Sequence, residues 1–110
     1  MKIDFTQSLL TLEGEPLEFV ERSEDGKLEK TQADLRTVCI RALLAPATHQ
    51  KAKPEEKLKH GLLAQGIYSN DELDLKAEEI TEIKRLVGEL YPPLIVMRAY
   101  GLLDPSEVDA

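Results

Sequence analysis

From Glu78 to Leu90 the chain reads Glu-Glu-Ile-Thr-Glu-Ile-Lys-Arg-Leu-Val-Gly-Glu-Leu. Ile80, Ile83, Leu86, Val87 and Leu90 recur every three or four positions, with Glu78, Glu82, Arg85 and Glu89 opposite. A strand would alternate instead, so this stretch is an amphipathic helix that needs a core to face. Tyr91-Pro92-Pro93 breaks it, because proline removes a backbone donor and clashes with the preceding turn. The segment from Leu94 to Leu103 is apolar almost all round except for Arg98. A helix of that kind belongs in the middle of a small bundle. Asp104-Pro105 ends it, and Ser106 to Ala110 read as a loose tail.

Two further helices precede these. The spacing predicts a first helix near Thr31, with Thr31 as N-cap and Asp34 in the first turn. Leu35, Val38, Cys39, Ala42 and Leu43 share one face, while Ile40 and Leu44 fall on the other, and Pro46 stops the helix. A second helix starts at Pro54, a residue suited to a first helical position, with Glu55 and Glu56 complementing the dipole. Leu58, Leu62, Leu63 and Ile67 make its apolar face. Gly66 lies among them, which implies a close neighbour, and Ser69-Asn70-Asp71 turns the chain. Lys76 stands where a Ser or Thr would cap the next helix, leaving that start to fray or to be capped by Asp74.

The first thirty residues have strand character instead. Ile3 and Phe5 alternate with polar neighbours. Leu10 and Leu12 precede Glu13-Gly14-Glu15-Pro16, and Leu17, Phe19 and Val20 follow, which reads as a β-hairpin. Ser23-Glu24-Asp25-Gly26 is a second turn candidate. A lone hairpin is marginal in water, so it should pack on the helices. The expected architecture is α+β, one domain over 1–110. It comprises a hairpin region over 1–30, about four helices over 31–105 with the fourth central, and the tail.

Composition limits function. The chain has 110 residues, 5% aromatic and no Trp, so its core is aliphatic. The net charge is −7, and no segment is basic enough to track a phosphate backbone, which argues against nucleic acid as a partner. One cysteine forms no intrachain disulfide and suits a reducing cytoplasm. No apolar run approaches the ~20 residues of a membrane span, and MKIDFTQSLL lacks the layout of a signal peptide.

The residues that could carry chemistry are few. Cys39 lies on the apolar face of the first helix, where a thiol is inert packing. His49 falls in a loop and His60 on the exposed part of the second helix, and neither meets Cys39. No nucleophile elbow, Walker loop or dinucleotide fingerprint is present. One Cys and two His do not give zinc spacing, and Ile67-Tyr68-Ser69 cannot supply the early ligands of a calcium loop ahead of Asn70 and Asp71. The expectation is a protein that is not an enzyme and holds no metal or cofactor.

What remains is surface. Lys51, Lys53, Lys57 and Lys59 cluster against Glu55 and Glu56, and six acids lie from Asp71 to Glu82 against Lys76 alone. Such patches are either a solvated surface or a means of steering partners or subunits together. Arg98 is either structural or an interface anchor. Ile40, Leu44 and the fourth helix carry more apolar surface than a small bundle covers, a sign of an interaction site. The candidate protein interface is therefore Ile40, Leu44, Lys57, Lys59 and Arg98.

The stretch from Val38 to Pro105 resembles a group of small proteins encoded by tailed bacteriophages and prophages. The likeness rests on Ala42-Leu43-Leu44, Glu55-Glu56-Lys57-Leu58-Lys59, Leu63, Ile67-Tyr68 and Asp74-Leu75. It continues through Ala77-Glu78-Glu79-Ile80, Pro93-Leu94-Ile95-Val96, Arg98-Ala99-Tyr100 and Leu102-Leu103-Asp104-Pro105. It implies a phage accessory protein in the bacterial cytoplasm or associated with the virion. The expected role is a protein-binding module in virion or tail assembly, as chaperone or minor structural subunit, with a phage or host protein or a second copy as partner. The alternative is a host-takeover or regulatory factor that binds a bacterial nucleic-acid enzyme. A DNA-binding role would require the second and third helices to form a helix-turn-helix, against which the acids from Asp71 to Glu82 argue.

Overall fold

In the computed structural model, which describes residues 1–105, four helices and two small antiparallel sheets share one aliphatic core. The strands are β1 (Lys2–Asp4), β2 (Glu18–Arg22), β3 (Leu28–Gln32) and β4 (Glu72–Asp74). The helices are α1 (Leu35–Leu44), α2 (Pro54–Ser69), α3 (Ala77–Leu90) and α4 (Pro93–Leu103), with a single 3-10 turn over Pro46–Thr48. The α+β architecture is thus the one expected. The tail from 106 to 110 lies outside the described residues.

The strand pairing differs from expectation in two ways. The regular hairpin joins β2 to β3 around Asp25-Gly26, with Phe19 opposite Thr31 and Val20 opposite Lys30. The turn at Glu13–Pro16 exists, but only as a tight loop. Thr11 N–H donates to the Glu15 carbonyl at 2.7 Å, and a single bridge links Leu10 to Pro16. Gly26, at φ +83°, takes the left-handed conformation that the longer hairpin's turn requires. The second difference is β4, a strand that the sequence does not predict between the turn at Ser69-Asn70-Asp71 and α3. It pairs with β1, Ile3 opposite Leu73, and closes a contact across some seventy residues.

Helix α1 begins later than expected. Thr31 is in β3, and Asp34 is the N-cap, its carboxylate accepting from Thr37 N–H at 2.7 Å. The strand extends to Gln32 because its pairing with Glu18 satisfies a backbone that a helix start would leave open. Leu35, Val38, Cys39, Ala42 and Leu43 are buried. α1 packs against α2, α3 and α4, and it is the central helix.

α4 is therefore not central. Only Ile95, Ala99 and Leu103 are buried; Leu94, Val96 and Leu102 are half-buried and Met97 is exposed. Its general apolarity exceeds what one buried stripe requires. α3 behaves as its periodicity predicts, burying Ile80, Ile83, Leu86 and Val87. Its start is closed by neither fraying nor Asp74. Glu79 reaches back to accept from Lys76 N–H at 2.9 Å, the acidic half of a capping box. The close approach expected at Gly66 occurs at Gly88 instead. A Cβ at Gly66 would meet Leu73 at an ordinary 3.5 Å, whereas one at Gly88 would meet the Tyr100 hydroxyl at 2.8 Å.

The β2–β3 hairpin is held to this helical body by side chains. The Arg41 guanidinium sits 5.0 Å from the Phe19 ring centroid and pairs with Glu21, while Phe19 stacks on Tyr91.

Candidate functional site

α2 and α3 both lie against α1 and hardly touch each other. The gap between them, lipped by the loop after the 3-10 turn, is a groove of about 750 Å3. Lys51 and Lys59 line one side, Glu78, Glu82 and Glu89 the other, and His60 forms part of the floor. Of the clusters seen in the sequence, Lys51 and Lys59 on one side and Glu78, Glu79 and Glu82 on the other line this groove, together with Glu56 and Arg85.

The sequence places His60 on the exposed part of α2, but the side chain is buried, 3% exposed. Its helical face is His60, Ala64 and Ile67, the buried residues of α2. Leu58 and Leu62, expected in the core, are 65% and 64% exposed. The inward stripe is His60, Ala64 and Ile67, with Leu63 half-buried beside it, so of the expected apolar face only Leu63 and Ile67 pack on the core. The spacing of His60, Ala64 and Ile67 at i, i+4 and i+7 is helical as well, and it was the available signal.

His49 is also buried, and it meets His60 directly. Its Nε2 lies 2.7 Å from His60 Nδ1, and the rings cross edge to face. His49 Nδ1 lies 2.7 Å from the Ala45 carbonyl oxygen and 2.9 Å from Thr48 Oγ1. At the other end His60 Nε2 lies 3.1 Å from Glu82 Oε1. Glu82 in turn accepts from Arg85, which also donates to Glu89 at 3.0 Å. The Arg85 guanidinium holds the Glu82 carboxyl below the usual range, against the opposing effect of burial. A chain of polar contacts therefore runs from the end of α1 through the loop and α2 to α3.

The expected interface residues are dispersed. Leu44 is exposed, and it shares a shallow depression with Pro46, His49 and Lys57. Lys59 lines the groove. Ile40 is half-buried against the core, so it contributes less surface than its helix position suggested. Arg98 stands apart: its Nε donates to the Leu10 carbonyl at 3.0 Å and its terminal nitrogen to the Thr11 carbonyl at 2.7 Å. These bonds tie α4 to the N-terminal loop, the structural role weighed for it above.

Cys39 is fully buried, and burial pushes its thiol well above the ordinary range, so it is no nucleophile in the folded chain. Among the described residues no group of three or more His, Cys, Asp or Glu side chains is placed to hold a metal ion. Among those residues, too, no helix is long and apolar enough to cross a membrane. The α2–α3 connection contains β4, bonded to β1, so these helices do not form a helix-turn-helix. Compared with known proteins, the chain matches no family model, no curated protein and no solved structure.

Proposed function

We propose that this chain is a protein-binding module whose contact surface is the outward face of α2, continued by Leu44, Lys57 and Lys59. The observation that carries this is the position of Leu58 and Leu62. They lie one turn apart on the side opposite His60, Ala64 and Ile67, and about two thirds of each is exposed. Paired leucines held outward on a regular helix cost solubility and add nothing to the core, a combination that marks an interaction surface. Lys57 and Lys59 border Leu58 along the chain and would steer an acidic or mixed-charge partner, Lys59 from the groove side of the helix. In the setting implied by the resemblance to phage proteins, the role is that of an accessory factor in virion or tail assembly.

The test is affinity capture from host cells producing the phage, comparing the wild type with a Leu58→Glu/Leu62→Glu double variant. Both changes point into solvent, so the fold, read by circular dichroism, should survive. A head or tail protein retained by the wild type and lost by the variant is the expected result. Equal retention by both would remove α2 from the interface. A wild-type chain that sediments as a monomer and retains nothing would overturn the reading, and a host replication enzyme in its place would make the chain a takeover factor.

A further inference from the structure

The contacts through His49 and His60 pose a counting problem. Three gaps run in series: Ala45 O to His49 Nδ1 at 2.7 Å, His49 Nε2 to His60 Nδ1 at 2.7 Å, and His60 Nε2 to Glu82 Oε1 at 3.1 Å. Each gap needs one hydrogen, since two facing lone pairs at such distances repel. Both ends are acceptors. Ala45 offers only a carbonyl, and Arg85 keeps the Glu82 carboxylate ionised. Two neutral imidazoles supply two N–H hydrogens, one fewer than the gaps require.

Thr48 does not resolve the shortage. Its hydroxyl hydrogen already has the Ala45 and Ala42 carbonyls at 3.0 and 3.2 Å, and its oxygen is free to accept from His49 Nδ1. The other charges around the chain are Lys57 beside His49, and Lys51, Glu56, Lys59, Glu78, Glu79, Arg85 and Glu89 around the groove. None of them stands in the three gaps.

We propose that the His49–His60 pair carries one shared proton, three N–H hydrogens over two rings, and that this proton latches the α1–α2 loop and α2 to Glu82 of α3. The latch matters because α2 and α3 have little other contact, and because Ala47, Gln50 and Lys51 of the same loop form the lip of the groove. Removing the proton leaves one gap with facing lone pairs. The loop then lifts, and the groove opens. The pair is thus a proton-sensitive catch on the groove, a property beyond partner binding on the opposite face of α2.

The chemistry supplies its own control. In Glu82→Gln the amide can donate its own hydrogen to His60 Nε2, so two ring hydrogens suffice and the chain stays closed without the extra proton. The experiment is two-bond 15N–1H correlation on 15N-histidine-labelled protein at pH 7, which counts protonated ring nitrogens. The expected count is three in the wild type and two in the variant. A count of two in the wild type would overturn the proposal and leave Thr48 as the donor to His49.

Discussion

The hydroxyl of Tyr100 occupies the space that a Cβ on residue 88 would need, 2.8 Å from where that atom would stand, and donates to the Lys84 carbonyl at 2.7 Å. Glycine at 88 is what allows α4 to lie this close to α3.

Gly88→Ala should therefore destabilise the chain although alanine is the better helix former. Alanine gains roughly 1 kcal/mol of propensity. Against this stand the displaced Tyr100, its lost hydrogen bond at about 1 kcal/mol, and repacking strain of ~1–3 kcal/mol. The expected net loss is about 1–3 kcal/mol. Gly61 is the matched control, since a Cβ there meets open space. Gly61→Ala should stabilise by roughly 0.5–1 kcal/mol. Urea unfolding of both variants checks the pair of signs.

Arg98→Met keeps an unbranched apolar stem and removes both donors to the Leu10 and Thr11 carbonyls. Losing charged hydrogen bonds to half-buried carbonyls costs about 2 kcal/mol. The loss should be local as well as global. Amide exchange at Leu9, Thr11 and Leu17, whose N–H groups hold the N-terminal loop, should accelerate before that of α3. Unchanged exchange in the loop would contradict the tie.

Tyr91 has the opposite problem. Its hydroxyl is buried without a hydrogen-bond partner, and burial pushes its pKa up. Tyr91→Phe keeps the stacking on Phe19 and removes an unsatisfied group. It should leave stability unchanged or raise it by up to ~1 kcal/mol. A lower melting temperature would show that the hydroxyl has a role not visible in its contacts.

Acid should weaken the fold partly through Glu82. Its folded pKa is depressed, chiefly by the Arg85 hydrogen bond. That stabilisation is complete above the ordinary Glu value of ~4.3 and is lost as pH falls through the lower folded value. Arg85→Ala should raise the Glu82 titration midpoint toward the ordinary value, as read by 13C NMR of the carboxyl. It should also flatten the loss of stability below pH 5. Asp4 is depressed too, by Thr6, and serves as an internal reference that Arg85→Ala should not move.

The elements that could be read from the sequence are those whose causes lie within a few residues. The period of Ile80, Ile83, Leu86 and Val87 defines α3, Pro54 with Glu55 and Glu56 starts α2, and Gly26 marks a turn because it tolerates positive φ. The tertiary structure decided what depended on the rest of the chain. β4 is three residues long with only Leu73 apolar, and it becomes a strand because β1 supplies its hydrogen-bond partners. Leu58 and Leu62 face outward because the packed helix turns the stripe of His60, Ala64 and Ile67 inward instead. His49 and His60, eleven positions apart across a proline, meet only because the loop folds back over α2 toward α3. Local spacing sets which face of a helix is possible, but only packing against its neighbours selects the face used and the polar side chains brought together beneath it.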